Sequence, residues 1–515
     1  MTLSGAVPGW SQDKPSSASP NAAQTDAMTA AIINLQQQVL ELKSAVAEVR
    51  SEAAQYRAET TELRQQLEMK QEKGLASGPS PKEGSASAAS SYSSATNESP
   101  TPAIRSLEQR VSSLEDASTL LNGKVDEQYQ DKVESGSKYR VRLSGIVLMN
   151  LFGNRGSVDN QDMPSYASPS ASYGPGGTFG ATLRQSELGV EVFGPKVAGA
   201  ETSGSVQFDF SGGFPNTLDG VNYGLMRLRT ASMRMDWKDT SLVAGQDNLF
   251  FSPFSPTSFA SLSIPAFGYA GNLWGWIPQV RVEHRFNLAN GQEITVQGGI
   301  LDNLSGEPPY SQFSRLAQTG ESSGQPAYAG RVAWSETIHG EPLSFGAAGY
   351  DTRQNWGFNR KVDGWSAMAD WNVPIISRLS FSGEFYRGRA IGGLGGGIGQ
   401  SVLYTGDPRD PSTQIRGLNS IGGWSQLKFK PLDKLEFNGA FGVDNPLARD
   451  FDTFAGDLTL YGTALRQNQN VLVNFILRPR SDLLFSAEYR HLQTKQSYGN
   501  SDAAEQFNLM MGVLF

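Results

Sequence analysis

The chain has 515 residues, of which 38% are hydrophobic and 18% charged, with a formal net charge of −8, 56 glycines and no cysteine. Without cysteine there are no disulfides and no thiolate metal sites, and without a basic stripe to neutralise phosphates nucleic acid is excluded as a partner. No apolar run is long enough for a membrane-spanning helix, a test that strands of alternating polarity escape.

The first residues, MTLSGAVPGWSQDKPSSASP, carry neither a basic n-region nor an apolar h-region. For an exported chain the leader is therefore expected upstream of this start or already removed. Residues 1–24 read as a disordered segment. From Met28 apolar positions recur with spacing four and three through Ile32, Leu35, Val39, Leu42, Val46 and Val49 to Leu63 and Leu67. A seam of two positions in seven predicts a coiled coil over 25–73 and is too narrow for a helix packed on a globular core. Residues 74–102 are rich in Gly, Ser, Pro and Ala and read as a flexible linker. A second, shorter seam on Ile104, Leu107, Val111, Leu114, Leu121 and Val125 predicts another coiled-coil helix over 103–130. About −6 of the net charge falls in the first 136 residues and about −2 in the remainder.

From Tyr139 the apolar period changes to two and stays there. Val141, Leu143, Val147, Met149 and Leu151 open the series; Leu188, Val190 and Val192 follow; Trp365, Ala367, Ala369, Trp371 and Val373 continue it; Phe507, Leu509, Met511, Val513 and Phe515 close it. About sixteen such stretches can be counted, an even number as a closed antiparallel barrel requires. Loop length supports the count. Connections after even strands are short, as at residues 238–239 and 287–292, the latter holding the Asn290-Gly291 hairpin signal. Those after odd strands are long, including 153–178, 247–278, 302–326, 390–419 and 445–465. Short turns on one side and long loops on the other is the outer-membrane pattern, with the short turns periplasmic. Residues 137–515 are thus expected to form an all-β transmembrane barrel of antiparallel strands, preceded by an α-helical coiled coil in the periplasm. An unpaired edge is not tolerated in lipid, so the last strand should close on the first.

Sixteen strands leave an aqueous lumen. The faces opposite the apolar stripes carry Glu187, Asp209, Arg234, Asp236, Arg281, Glu283, Arg331, Asp370, Glu384, Glu436 and Glu488, charges tolerable only against water. Arg234, Arg281 and Arg331, with Glu187, Asp209 and Glu384, are the expected pore-lining charges, and the three arginines predict a weak preference for anions. The third long loop holds Phe250, Phe251, Phe254, Phe259, Phe267, Tyr269, Trp274 and Trp276 with almost no charge. Exposed, it would be a sticky patch; it is expected to fold inward, with Asp247, Phe250, Phe251 and Phe254 narrowing the pore. The alternative is packing against a neighbouring barrel.

The stretch MRLRTASMRMDWKDTSLVAGQDNLFFSPF, a strand, tight turn, strand and Gly-Gln before the inward loop, resembles the general trimeric porins. The coiled coil before the barrel, with LRQSELGVEVFG, PAYAGRVAW, GGWSQLKFKP and a terminal Phe, is similar to the DcaP-like porins and more loosely to phosphate-selective porins. This implies a homotrimer in the outer-membrane bilayer and passive uptake of small, including anionic, solutes. No dense arginine or lysine ladder is visible, which speaks against phosphate selectivity. The terminal alternation Phe507, Leu509, Met511, Val513, Phe515 looks like the signal read by the barrel-assembly machinery.

An enzyme is not indicated. His284, His339 and His491 are the only histidines, and no nucleophile stands at a useful spacing from them. GGLGGGIG at 392–399 lacks the phosphate-cradle spacing and reads as a mobile loop. No metal-ligand cluster or cofactor motif is present. The alternative to a channel is a barrel serving mainly as the anchor or tether of a periplasmic coiled coil.

Overall fold

The computed structural model describes residues 140–169, 176–214, 224–305, 315–338, 340–454, 465–497 and 500–515. The two expected coiled-coil segments, the linker and Tyr139 lie outside the described residues. In chain order the strands are β1 (Arg140–Arg155), β2 (Gly177–Thr182), β3 (Glu187–Phe193), β4 (Glu201–Asp209), β5 (Arg227–Asp236), β6 (Thr240–Asn248), β7 (Trp276–Asn287), β8 (Glu293–Leu301), β9 (Ala327–Ile338), β10 (Glu341–Asn355), β11 (Lys361–Ile376) and β12 (Leu379–Arg389). There follow β13 (Val402–Tyr404), β14 (Ile415–Gly417), β15 (Asn419–Leu432), β16 (Leu435–Pro446), β17 (Leu465–Arg480), β18 (Leu483–Gln496) and β19 (Ser501–Leu514).

All except the β13–β14 hairpin belong to one sheet. It closes where β19 pairs with β1 antiparallel, from Ile146↔Leu514 to Arg155↔Glu505, as the terminal alternation requires. β2 and β3 both pair with β1, on Asn150–Arg155 and Arg140–Ile146 respectively. They are one stave in two pieces, which makes a closed barrel of sixteen. Between the pieces β1 spends three residues where its partner spends Leu183, Arg184, Gln185 and Ser186, a bulge that turns Arg184 and Gln185 into the barrel.

Burial alternates along most strands, most plainly in β11 with its alternating exposed and buried positions, whereas β4, β5 and β8 bury few side chains. The outward set is apolar: Val147, Met233, Leu509 and Met511 are all at least half exposed. Only a hydrocarbon surround makes such a band stable. Turns of a few residues join β5 to β6, β7 to β8, β9 to β10, β11 to β12, β15 to β16 and β17 to β18 at one end. The other end carries the long loops, with two exceptions: residues 356–360 and 497–500 make short links there. Among the described residues no helix is long and apolar enough to cross a membrane.

Candidate functional site: the loop-lined barrel interior

After β6 the chain turns into the barrel. Leu249, Phe250 and Phe251 are buried with Ile277, Leu301, Tyr350, Met368 and Tyr386. Phe251 stacks on Tyr350 with centroids 5.4 Å apart, and Phe250 meets it edge-on. From this root the loop runs around the inner wall, and inward polar side chains bond several of its backbone groups. Glu384 on β12 accepts from Ser252 Oγ at 2.6 Å and from the Phe254 amide at 2.8 Å. Gln426 on β15 accepts from the Thr257 amide, and Asn474 on β17 donates to the Thr257 carbonyl. Arg490 on β18 donates to Ser258 and Ser261. Gln185, delivered by the bulge, donates to the Ala260 carbonyl and accepts from the Leu262 amide. Arg227 on β5 closes the circuit on the Ser263 carbonyl. On the way back Phe267 packs with Trp424, Ala440 and Leu472. The alternative of a loop laid on a neighbouring barrel does not fit these contacts.

Phe250 is 5% exposed and Phe251 not at all. Their rings fix the loop's root against the barrel wall and are not presented to water. Phe254 is half-buried, and Asp247 pairs with Arg281 at 2.8 Å.

A second loop enters the interior, which the sequence reading missed. The glycine-rich stretch is buried rather than free: the Gly397 amide donates to Tyr386 Oη, the Ile398 amide to Asp444, and the Trp274 amide to the Leu394 carbonyl of this loop. Gly399, at φ 78°, lies under the Tyr269 ring, where an added Cβ would come within 2.8 Å of it. The signal was present, since residues 390–404 carry apolar groups and no charge past Ala390, the criterion that singled out the first loop. A third segment, residues 156–169, is held by a bidentate Arg184–Asp162 pair and by Asn468 and Asn470 on the Ser165 carbonyl. In it burial pushes the Asp159 carboxyl up, opposed by the Ser165 and Tyr166 amides that it accepts.

The ionic side chains placed inward by parity are inward, and all but Glu384, which is held by Ser252 and the Phe254 amide, are ion-paired. Arg331 on β9 reaches across β10 to Asp370 on β11, with bonds of 2.9 and 2.7 Å. Gly346 lies between them, and a Cβ there would come within 2.2 Å of the carboxylate, so glycine makes the pair possible. Arg281 bonds Glu283 at 2.7 Å and Asp247, and Arg234 bonds Asp236 at 2.7 Å with Glu283 at 3.5 Å. Arg229 pairs with Glu187 and Arg227 with Asp209. Five arginines thus face six carboxylates, and no member of the ladder lacks a counter-charge. Glu187, Gln207, Arg234 and Asp236 on β3–β5 keep contact with water. His284 and His491 lie on the outer face, His284 Nδ1 2.8 Å from Thr240 Oγ1, and His339 lies outside the described residues. Among the described residues no group of His, Asp and Glu could hold a metal. Phe515 pairs through its backbone with Gly145 while its ring stays half exposed.

A closed sixteen-stranded barrel with an apolar exterior, an ionic interior and an inserted loop after β6, its fifth stave, defines the porin class of fold. No family model and no curated protein matches the chain. Among solved structures it is similar to the outer membrane channel DcaP of Acinetobacter baumannii, with a TM-score of 0.54 at 18% identity over 74% of this chain and 99% of that one. The fold is therefore a DcaP-like porin fold. The anion-selective porin from Comamonas acidovorans aligns at 11% identity over 73% of this chain and all of that one, with a TM-score of 0.43. OprB of Pseudomonas putida aligns at 12% identity over 73% and 94%, also at 0.43. Alignments that loose bear on nothing further.

Proposed function

We propose that the chain forms a water-filled outer-membrane channel for passive diffusion of small hydrophilic solutes, anionic ones included, and catalyses no reaction. One observation carries this: inward Glu187, Gln207, Arg234 and Asp236 keep contact with water while their outward neighbours, such as the 68%-exposed Met233, are apolar. A wall of that kind is stable only with lipid outside and water inside. The narrowing role assigned to residues 247–276 is supported by the loop's course inside the barrel.

The paired ladder argues for weaker selectivity than three free arginines would give, because opposite charges a few ångströms apart leave only a short-range dipolar field. Assembly as a homotrimer through the barrel wall, with the coiled coil of 25–73 and 103–130 auxiliary and periplasmic, is part of the same reading. The tether function is compatible with it. Liposome swelling with a neutral disaccharide tests the channel: vesicles containing the protein should swell, and vesicles that stay impermeable despite insertion would overturn it.

A further inference from the structure

The outward wall at the loop end of β10–β12 carries four basic side chains close together, Arg353, Lys361, Arg387 and Arg389. Tyr328, Trp365 and Phe385 are each 40–49% exposed and form an aromatic belt on the outer face, the position at which such rings meet the lipid headgroups. Arg387 and Arg389 stand beside the belt, for they pair in register with Ala367 and Trp365. Arg353 and Asp363 follow one pleat further out, then Lys361. Asp351 and Asp363 are the carboxylates of the patch, and Asp363 is held by Arg353 at 2.6 Å. Arg387 donates through one nitrogen to the Gly388 and Ser420 carbonyls, with its guanidinium 5.8 Å from the Trp365 ring. Arg389 donates one nitrogen to the Asp363 carbonyl. Lys361, Arg387 and Arg389 form no ion pair among the described residues. At matching positions on β16–β18 the outward side chains are Asn445, Gln467, Gln469, Gln493 and Lys495.

We propose that this patch binds the phosphates of an outer-leaflet lipid. The backbone bonds of Arg387 and Arg389 fix two guanidinium groups with nitrogens to spare, and a fixed guanidinium fork suits a phosphate better than a mobile ammonium does. Lys361 adds a third cation that is not held in an ion pair. The belt below supplies the apolar surface for the acyl chains, and the net positive patch complements the anionic headgroup. The long loops, and so this rim, face outward if the short turns are periplasmic.

The test uses the full chain in neutral detergent, titrated with lipid A, with dephosphorylated lipid A, and with inorganic phosphate, and followed by native mass spectrometry. The parent should retain lipid A at least tenfold more tightly than Arg353→Gln/Lys361→Gln/Arg389→Gln, given roughly a fivefold effect per basic residue near an anionic surface. A control, Arg155→Gln/Lys495→Gln, away from the patch, should behave as the parent. If the triple variant fails to fold, Lys361→Gln alone should still lose affinity several-fold. Equal retention by parent and folded variant, equal retention of the dephosphorylated lipid, or displacement of lipid A by an equal concentration of inorganic phosphate would each overturn the proposal. The last would mean a free-anion site, and the first would mean that another surface holds the lipid.

Discussion

Replacing Arg281 and Arg331 by Gln removes two of the five arginines that face six carboxylates while leaving an amide to bond Glu283 and Asp370. Asp247 and Asp370 then stand without their cations, and Glu283 keeps only Arg234 at 3.5 Å. An ion passing about 8 Å away feels roughly 0.5 kcal/mol per uncompensated charge in water, reduced about threefold over one Debye length at physiological salt. Two such charges give about 0.4 kcal/mol, which nearly doubles the local cation concentration, nearly halves the anion concentration and makes roughly a fourfold change in permeability ratio. The assay is the reversal potential in a planar bilayer under a tenfold KCl gradient. The parent should lie near zero. The double variant should move by roughly 25 mV toward the cation limit of about 59 mV. A strongly anion-selective parent, or a variant that does not move, would refute the inference that the paired ladder borders the conducting water.

Three further outcomes follow from the contacts. Glu384→Ala removes the acceptor of two loop hydrogen bonds, each worth about 1 kcal/mol, so the loop of residues 249–275 should loosen; single-channel records should become noisier, and unchanged records would remove Glu384 as the loop's fastener. Phe515→Ala should reduce insertion into the outer membrane several-fold by surface labelling while changing thermal stability little, since the ring is half exposed and the backbone pairing with Gly145 survives. Deleting residues 1–136 should leave an oligomer in detergent by light scattering, and a clean monomer would assign assembly to the N-terminal segment instead.

The barrel was legible in the sequence because lipid and water impose opposite demands on adjacent residues, so that Met233 and Arg234, or Trp371 and Asp370, announce their faces by parity alone. The same alternation, ending at Phe515, announced closure. The break between β2 and β3 was not legible: Arg184, Gln185 and Ser186 are polar, and polar residues serve equally well in a bulge or on an inner face. Nor was the pairing of Arg331 with Asp370 across an intervening strand, because it depends on register and on the missing side chain of Gly346. The inward course of residues 247–276 followed from their aromatic content, whereas the anchoring role of Phe250 and Phe251 required knowing that Tyr350, Met368 and Tyr386 stand opposite. The glycine-rich loop was misread because glycine supplies freedom in isolation and close packing in place, and only Tyr269 and Trp274 above it decide between the two.

The most direct measurement of the central claim is single-channel conductance of the full chain in a planar bilayer. Discrete, ohmic steps of a fraction of a nanosiemens in molar salt are the expected result, with the step size set by the space that the inserted loops leave along β3–β5. Barrels that insert and fold, as shown by resistance to heat denaturation, yet give a flat trace would mean that the loops of residues 249–275 and 390–418 seal the lumen, and that the chain serves as an anchor and not as a channel.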